Sequence, residues 1–162
     1  EITCRDWSSD VCSSDLMDYE PEEIKRKISI SSAFDHCEWD GHSIHFVDTP
    51  GYGDFIGDTR ACMRALDCAV VILSAISGVK VQTEEVWEWA NEFEIPRIAF
   101  VNKMDKERAN FLRAIDDMEK SLKARGVAIQ MPIGAEESFE GVVDLIRMKA
   151  CKYAKEDRKS VV

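Results

Sequence analysis

Four consecutive residues, Asp48-Thr49-Pro50-Gly51, have the chemistry to handle a magnesium-phosphate group. They follow the predicted strand His42–Val47, so a carboxylate comes directly after a strand and an unobstructed backbone N–H follows three residues later. A carboxylate can hold Mg²⁺, often through water, and a glycine N–H can donate to a terminal phosphate oxygen. The same residue types also form an ordinary turn, so this motif alone leaves both interpretations open.

A second motif, Asn102-Lys103-Met104-Asp105, is chemically matched to guanine and follows the apolar stretch Ile98–Val101. The Asp105 carboxylate can accept hydrogen bonds from both N1–H and the exocyclic amine of guanine, whereas adenine would leave polar groups unpaired. Asn102 can contact another base edge, and the Lys103 stem can lie across the ring. The alternative is a polar loop that caps the following helix. The two motifs together favour a nucleotide, because each one follows a strand.

Predicted strands and helices alternate along the chain, which indicates an α/β fold with a mainly parallel sheet and helices on both faces. Ligands bind beyond the carboxyl ends of the strands in such sheets, so both motifs would lie within reach of one nucleotide. Asp40-Gly41 predicts a tight turn between the first two strands. The predicted strands are Lys27–Phe34, His42–Val47, Cys68–Leu73, Arg97–Val101 and Val127–Met131, and the predicted helices are Phe55–Leu66, Thr83–Phe93 and Glu107–Arg125.

The composition is that of one globular domain, since 45% of the 162 residues are apolar and 32% are charged. The formal net charge of −10 argues against a direct grip on nucleic acid by this segment. The longest apolar run is far shorter than the roughly 18 residues that indicate a membrane span. We therefore expect a cytoplasmic protein with no membrane partner.

Five segments spread along the chain are more specific than the two short motifs. They are FVDTPG (Phe46–Gly51), GVKVQT (Gly78–Thr83), PRIAFVNKMD (Pro96–Asp105), IGAEE (Ile133–Glu137) and GVVDLI (Gly141–Ile146). Together they resemble the GTP-binding domain of translation elongation factor G, over roughly residues 17–150. The resemblance implies a P-loop-GTPase-like fold, GTP and Mg²⁺ as cofactors, and a parent protein that couples its nucleotide state to ribosome translocation. Ribosomal protection proteins and release factor 3 share the earlier motifs and remain alternatives.

The resemblance also assigns roles to individual residues. It implies magnesium ligation by Ser29 and Asp48, and GTP binding by Asp48, Thr49, Pro50, Gly51, Asn102, Lys103 and Asp105. Ser29 lies in RKISI (Arg26–Ile30), where the family usually has R-G-I-T-I at the end of its first switch. Lys27 replaces a glycine there, which would stiffen the switch. The alternative for this segment is an alternating strand with a solvent-facing serine.

Tyr52 stands after D-T-P-G, where the family commonly has the histidine that orients the attacking water. A phenol neither carries a positive charge nor titrates near neutral pH, so GTP hydrolysis by the parent is an open question. A divergent branch of the family with altered ribosome coupling is the favoured interpretation. A non-hydrolysing nucleotide-binding or ribosome-interaction module is the alternative.

No G-x-x-x-x-G-K-[ST] motif occurs in the chain, which predicts a fragment that lacks the P-loop, the first strand and the first helix and is inactive by itself. The predicted domains are a partial GTP-binding domain over 17–131 and the start of an inserted subdomain over 132–155. Residues 1–16 show no periodicity and stay unassigned as a non-native segment, as does the tail 156–162.

Overall fold

The computed structural model describes residues 17–153, which fall into two compact units, 17–66 and 67–153, called here the first and second units. Residues 1–16 and 156–162, expected to be non-native or uninformative, lie outside the described residues. Along the described residues, no helix is long and apolar enough to cross a membrane.

The first unit opens with helix α1 (Pro21–Arg26), which the sequence patterns did not predict. Its residues suit a short helix, because Pro21 takes the first position, acidic residues fill the first turn and basic ones the last. Lys27 ends α1 in the left-handed conformation, with φ of 54°. The predicted strand from Lys27 is therefore wrong for its first six residues, and strand β1 begins at Ala33.

Strands β1 (Ala33–Trp39) and β2 (His42–Asp48) form an antiparallel hairpin. Asp40 and Gly41 both have positive φ, 49° and 74°, as the predicted tight turn requires. Helix α2 (Ile56–Cys62) follows and tightens into a 3₁₀ turn at Met63–Ala65. The hairpin and the helix over Phe55–Leu66 are thus confirmed, with the helix shorter than predicted.

The second unit contains the parallel pair that the alternation of elements predicts. Strands β3 (Ala69–Ser74) and β4 (Arg97–Asn102) pair in parallel from Ala69↔Arg97 to Ser74↔Asn102. Helices α3 (Val81–Glu92) and α4 (Phe111–Leu122) follow β3 and β4 respectively. An antiparallel three-stranded sheet completes the unit, with β5 (Gln130–Ile133), a 3₁₀ turn (Glu136–Ser138), β6 (Gly141–Asp144) and β7 (Lys149–Lys152).

One face of the β3–β4 pair builds the core of the second unit. Val71 and Leu73 are buried there against Met118 of α4, with Trp87 of α3 packed beside them. The opposite face carries Val70, Ile72, Ile98 and Phe100, each more than half exposed. Within the described residues of this unit, helices therefore cover one face of the pair and not the two that were predicted.

Four element boundaries in the second unit differ from prediction. Helix α3 begins two residues before Thr83, whose hydroxyl accepts from the N–H of Lys80 at 3.3 Å, so Thr83 lies inside the first turn. Helix α4 begins after Asn110, whose side chain caps it by accepting from Arg113 N, four residues later than predicted. It ends at Leu122, with Lys123 as its left-handed cap, and does not extend to Gly126 as predicted. The strand predicted over Val127–Met131 lies at Gln130–Ile133.

Gly78 lets the β3–α3 connection approach α4. Its φ is +65°, and a Cβ there would collide with the Asp117 carboxylate. That carboxylate accepts the N–H of Val79 at 3.0 Å. The connection after β3 is thereby tied to the helix that follows β4.

Candidate functional site

Asp48 is the last residue of β2 and pairs with Ala33, the first residue of β1. Asp48 therefore lies at one end of the hairpin. The chain continues from there into a loop, residues 48–52, called here the Asp48 loop. Burial raises the pKa of Asp48, the charges of Asp18 and Glu23 raise it further, and the N–H of Thr49 acts in the opposite direction. A partly buried carboxylate beside other acids is a favourable place for a cation.

The Glu23 side chain accepts hydrogen bonds from the backbone that leads into β1. The residue is 1% exposed, and its carboxylate accepts four backbone N–H groups: Tyr19 at 3.3 Å, Glu20 at 3.0 Å, Ile30 at 2.7 Å and Ser31 at 2.9 Å. Burial raises the pKa of Glu23, but these donors outweigh it, and the pKa lies below its ordinary value. The backbone on the C-terminal side of Ser29 is thus fixed by a charged acceptor.

Ser29 lies between Lys27, the end of α1, and the amide of Ile30 that Glu23 holds. It is half-buried and outside the β-ladder, so the strand interpretation of this residue is wrong. A serine hydroxyl and a carboxylate are oxygen donors of the kind that Mg²⁺ prefers. Ser29 and Asp48, which belong to the same unit, are chemically suited to that ion.

In the rest of the Asp48 loop, Thr49 is half-buried, one residue is buried and two are exposed. Pro50 is fully buried, and its carbonyl accepts the Thr59 hydroxyl at 3.2 Å. Gly51 is exposed, and a Cβ there would meet nothing within 4 Å. Tyr52 is 57% exposed, and its carbonyl accepts the N–H of Phe55 at 3.0 Å. An approaching group can reach the loop at Gly51 and Tyr52.

In the second unit, Asn102 ends β4 opposite Ser74, which ends β3. Residues 102–106, called here the Asn102 loop, therefore leave from the carboxyl end of a parallel pair, as predicted. The Asn102 carbonyl accepts Ala75 N at 2.9 Å, and its side-chain oxygen accepts Lys103 N at 2.7 Å. Lys103 has φ of 64°, which turns the chain sharply after the strand.

Met104 anchors the Asn102 loop by packing its side chain into the protein interior. It is 7% exposed and packs with Ala75 and Ala109. Its carbonyl accepts Glu136 N at 2.8 Å, and the Glu136 carboxylate accepts Arg108 N, also at 2.8 Å. The segment after β5 therefore also supports the loop, a role that the sequence pattern did not indicate.

Asp105 is exposed at the tip of this anchored loop. Its only described ionic partner is Lys106, whose Nζ lies 3.4 Å from Oδ2, and both side chains are largely open to solvent. Such an exposed pair is weak and easily exchanged for another partner. The Asp105 carboxylate is thus free to accept donors from a ligand, while Met104 keeps the backbone beneath it in place.

The chain combines an α/β unit that has an N-K-x-D loop at the end of a parallel strand with a hairpin that ends in a D-x-x-G loop. This combination is typical of GTP-binding domains. The elongation factor Tu GTP binding domain family matches residues 4–160, and the chain belongs to that family. Its fold is the α/β fold of the translational GTPases.

Proteins similar to this chain in sequence include elongation factors G. The chain is 45% identical over 142 residues to elongation factor G 2 of Borreliella afzelii (strain PKo), covering 88% of the chain and 21% of that protein. Identity to elongation factor G of Thermotoga petrophila is 45% over 140 residues, covering 86% and 20%. A crystal structure of a protein from Thermus thermophilus superposes with a TM-score of 0.78 and 30% identity, covering 90% and 22%. The chain thus spans about a fifth of these relatives.

Proposed function

We propose that the chain is part of the GTP-binding domain of an elongation-factor-G-like translation factor, a cytoplasmic protein that binds GTP with Mg²⁺ and acts on the ribosome. The observation that carries the proposal is the Asn102 loop, in which a buried methionine fixes an exposed carboxylate at the end of a parallel strand. The relatives of similar sequence are elongation factors G, and the family is one of GTP-binding domains.

In this proposal each loop handles one end of the nucleotide. Asp105 accepts N1–H and the amine of guanine, Asn102 contacts another base edge and the Lys103 stem lies across the ring. Asp48 and Ser29 hold Mg²⁺, which when bound neutralises phosphate charge. Thr49 and Pro50 shape the loop that presents the Gly51 amide to the terminal phosphate. The proposed boundaries are 17–131 for this domain and 132–155 for the start of an inserted subdomain.

Nucleotide selectivity tests the proposal most simply. The parent protein, meaning the complete translation factor, should bind GTP at least about 100-fold more tightly than ATP, because adenine offers Asp105 no matching donors. Asp105→Asn replaces a carboxylate, which only accepts, by an amide that can also donate. Xanthine has a carbonyl at C2 where guanine has an amine, so the variant should prefer xanthosine triphosphate to GTP. Asp116→Asn, an exposed acid of α4, is the control and should leave selectivity unchanged. Equal binding of ATP and GTP by the parent would contradict the proposal.

Tyr52 favours a second candidate function, a module that binds the nucleotide without hydrolysing it. The exposed phenol stands where elongation factors G commonly have histidine. Ribosome-stimulated phosphate release by the parent separates the two functions. Little release by the parent and a strong gain in the Tyr52→His variant support the second candidate, whereas release at an ordinary rate before substitution supports a hydrolysing GTPase.

A further inference from the structure

Thr59 of α2 is one of two buried polar side chains among the described residues, the other being Glu23. It is 4% exposed, and its hydroxyl donates to the carbonyl of Pro50 at 3.2 Å, nine residues earlier in the chain. A threonine in a helix has two favoured χ1 rotamers, and in the one adopted here the hydroxyl bonds the Pro50 carbonyl. The contact therefore ties the Asp48 loop to α2 within the first unit.

The bonded carbonyl belongs to the same peptide unit as the N–H of Gly51. A peptide unit is planar, and in a trans peptide the C=O and N–H point to opposite edges. No cis peptide occurs among the described residues. Holding the Pro50 oxygen toward Thr59 therefore turns the Gly51 N–H away from α2, and the space around Gly51 is open.

Rotation of this peptide about its flanking bonds would exchange the positions of the oxygen and the N–H. Pro50 is fully buried, so its carbonyl has little access to water as a replacement partner. A buried polar group that loses its hydrogen bond is destabilised, so the Thr59 contact favours the orientation with the N–H outward. Glycine at 51 adds no side chain that would oppose rotation, which leaves Thr59 as the described restraint on the Pro50 oxygen.

We propose that Thr59 is a positioning residue that presents the Gly51 amide to the terminal phosphate of GTP by holding the carbonyl of the Pro50–Gly51 peptide. The inference rests on the proposed function, because it assigns a regulatory contact to the same nucleotide site. GDP lacks the terminal phosphate, so Thr59 affects the ratio of GTP to GDP affinity and not the affinity for the guanine base.

The test compares Thr59→Val with Thr59→Ser in the parent protein, by titrating a fluorescent non-hydrolysable GTP analogue and fluorescent GDP with Mg²⁺ present. Valine keeps the branched shape and removes the donor, whereas serine keeps the hydroxyl. We expect Thr59→Val to weaken binding of the GTP analogue about fivefold, the factor equivalent to one hydrogen bond, with GDP binding unchanged. Thr59→Ser should restore most of the loss, and Asp58→Ala, an exposed neighbour on α2, should change neither affinity.

The possible outcomes distinguish failure of the role of Thr59 from failure of the proposed function. An unchanged affinity ratio in Thr59→Val, in a protein that still binds both nucleotides, overturns the role of Thr59 and leaves the proposed function standing. Equal loss of GTP and GDP binding in Thr59→Val also overturns it, because a general weakening of the fold would act on both ligands. Absence of GTP binding by the unsubstituted parent overturns the proposed function and this inference together.

Discussion

The two loops proposed to bind the nucleotide are held in place by different sets of contacts. In the first unit, the carboxylate of Glu23 and the hydroxyl of Thr59 hold backbone groups beside the Asp48 loop and within it. In the second unit, the Asn102 loop is held by backbone bonds to Ala75 and Glu136 and by the burial of Met104. A side-chain hydrogen bond from Thr59 ties the Asp48 loop to α2, whereas a backbone bond from Glu136 ties the Asn102 loop to the segment after β5.

From this difference we expect the Asp48 loop to rearrange more readily than the Asn102 loop. A side-chain hydrogen bond is released by rotation of one side chain, whereas backbone bonds and buried apolar contacts are lost only when the local structure opens. We therefore expect the terminal phosphate to act on the Asp48 loop and guanine binding to leave the conformation of the Asn102 loop unchanged.

The largest effect is expected at Glu23. Glu23→Ala leaves four backbone N–H groups without their acceptor, so the free energy of opening of the first unit should fall by about 4 kcal/mol. Hydrogen exchange of the Ile30 and Ser31 amides and of the hairpin measures this loss. Glu22→Ala is the matched control, because within the described residues Glu22 forms an exposed ion pair with Arg26, and its loss should stay below about 0.5 kcal/mol. Equal effects of the two substitutions would contradict the role of Glu23.

A smaller loss is expected when the support of the other loop is removed. Met104→Ala opens a cavity beside Ala75 and Ala109 and should destabilise the second unit by about 3 kcal/mol. Met148→Ala, at a largely exposed methionine of the same unit, should cost less than about 0.5 kcal/mol. Hydrogen exchange of β3 and β4 in both variants gives the measurement, and a loss confined to the first unit would refute the assigned packing.

Acid should weaken the first unit through Glu23. The pKa of Glu23 is lower in the folded protein than its ordinary value of 4.5, so ionised Glu23 stabilises the fold above that pH. This contribution is lost as the pH falls through the folded pKa. The loss should be smaller than in Glu23→Ala, because a protonated carboxyl keeps an acceptor oxygen. Exchange of the Ile30 amide measured from pH 6 to pH 3 should show this dependence in the wild type and not in Glu23→Gln.

The smallest effect is expected at Lys27, where α1 ends with positive φ. A non-glycine residue in this conformation is strained by roughly 1 kcal/mol, so Lys27→Gly should stabilise the first unit by up to about that amount. Lys27→Ala is the control and should give no such gain. Destabilisation by glycine would show that the flexibility of the unfolded chain outweighs the relief of strain.

The sequence predicted the parts of the site that depend on local signals. Asp40-Gly41 marked the hairpin turn, and the apolar run before Asn102 marked the strand that delivers the second loop. Whether Asp48 and Asp105 contact one nucleotide stays a prediction. The helix α1 was missed, although Pro21 and the acidic residues after it are a helix-start signal.

The residues that support the loops could not be predicted for a physical reason. The partners of Glu23 at Ile30 and Ser31, of Thr59 at Pro50 and of Glu136 at Arg108 are fixed by folding and not by periodicity. A buried acceptor also overrides a local pattern, since the amides held by Glu23 lie in the segment whose alternation favoured a strand. Sequence patterns therefore locate the groups proposed to touch the ligand better than the groups that hold them.

Hydrogen exchange of the parent protein with bound nucleotides tests the difference between the loops most directly. With Mg²⁺ present, a non-hydrolysable GTP analogue should slow exchange of the Gly51 amide and of residues 52–62 relative to GDP. Residues 102–106 should be protected equally by both nucleotides relative to the nucleotide-free protein. Equal protection of Gly51 by GDP and the GTP analogue, or a response of residues 102–106 to the terminal phosphate, would contradict the account.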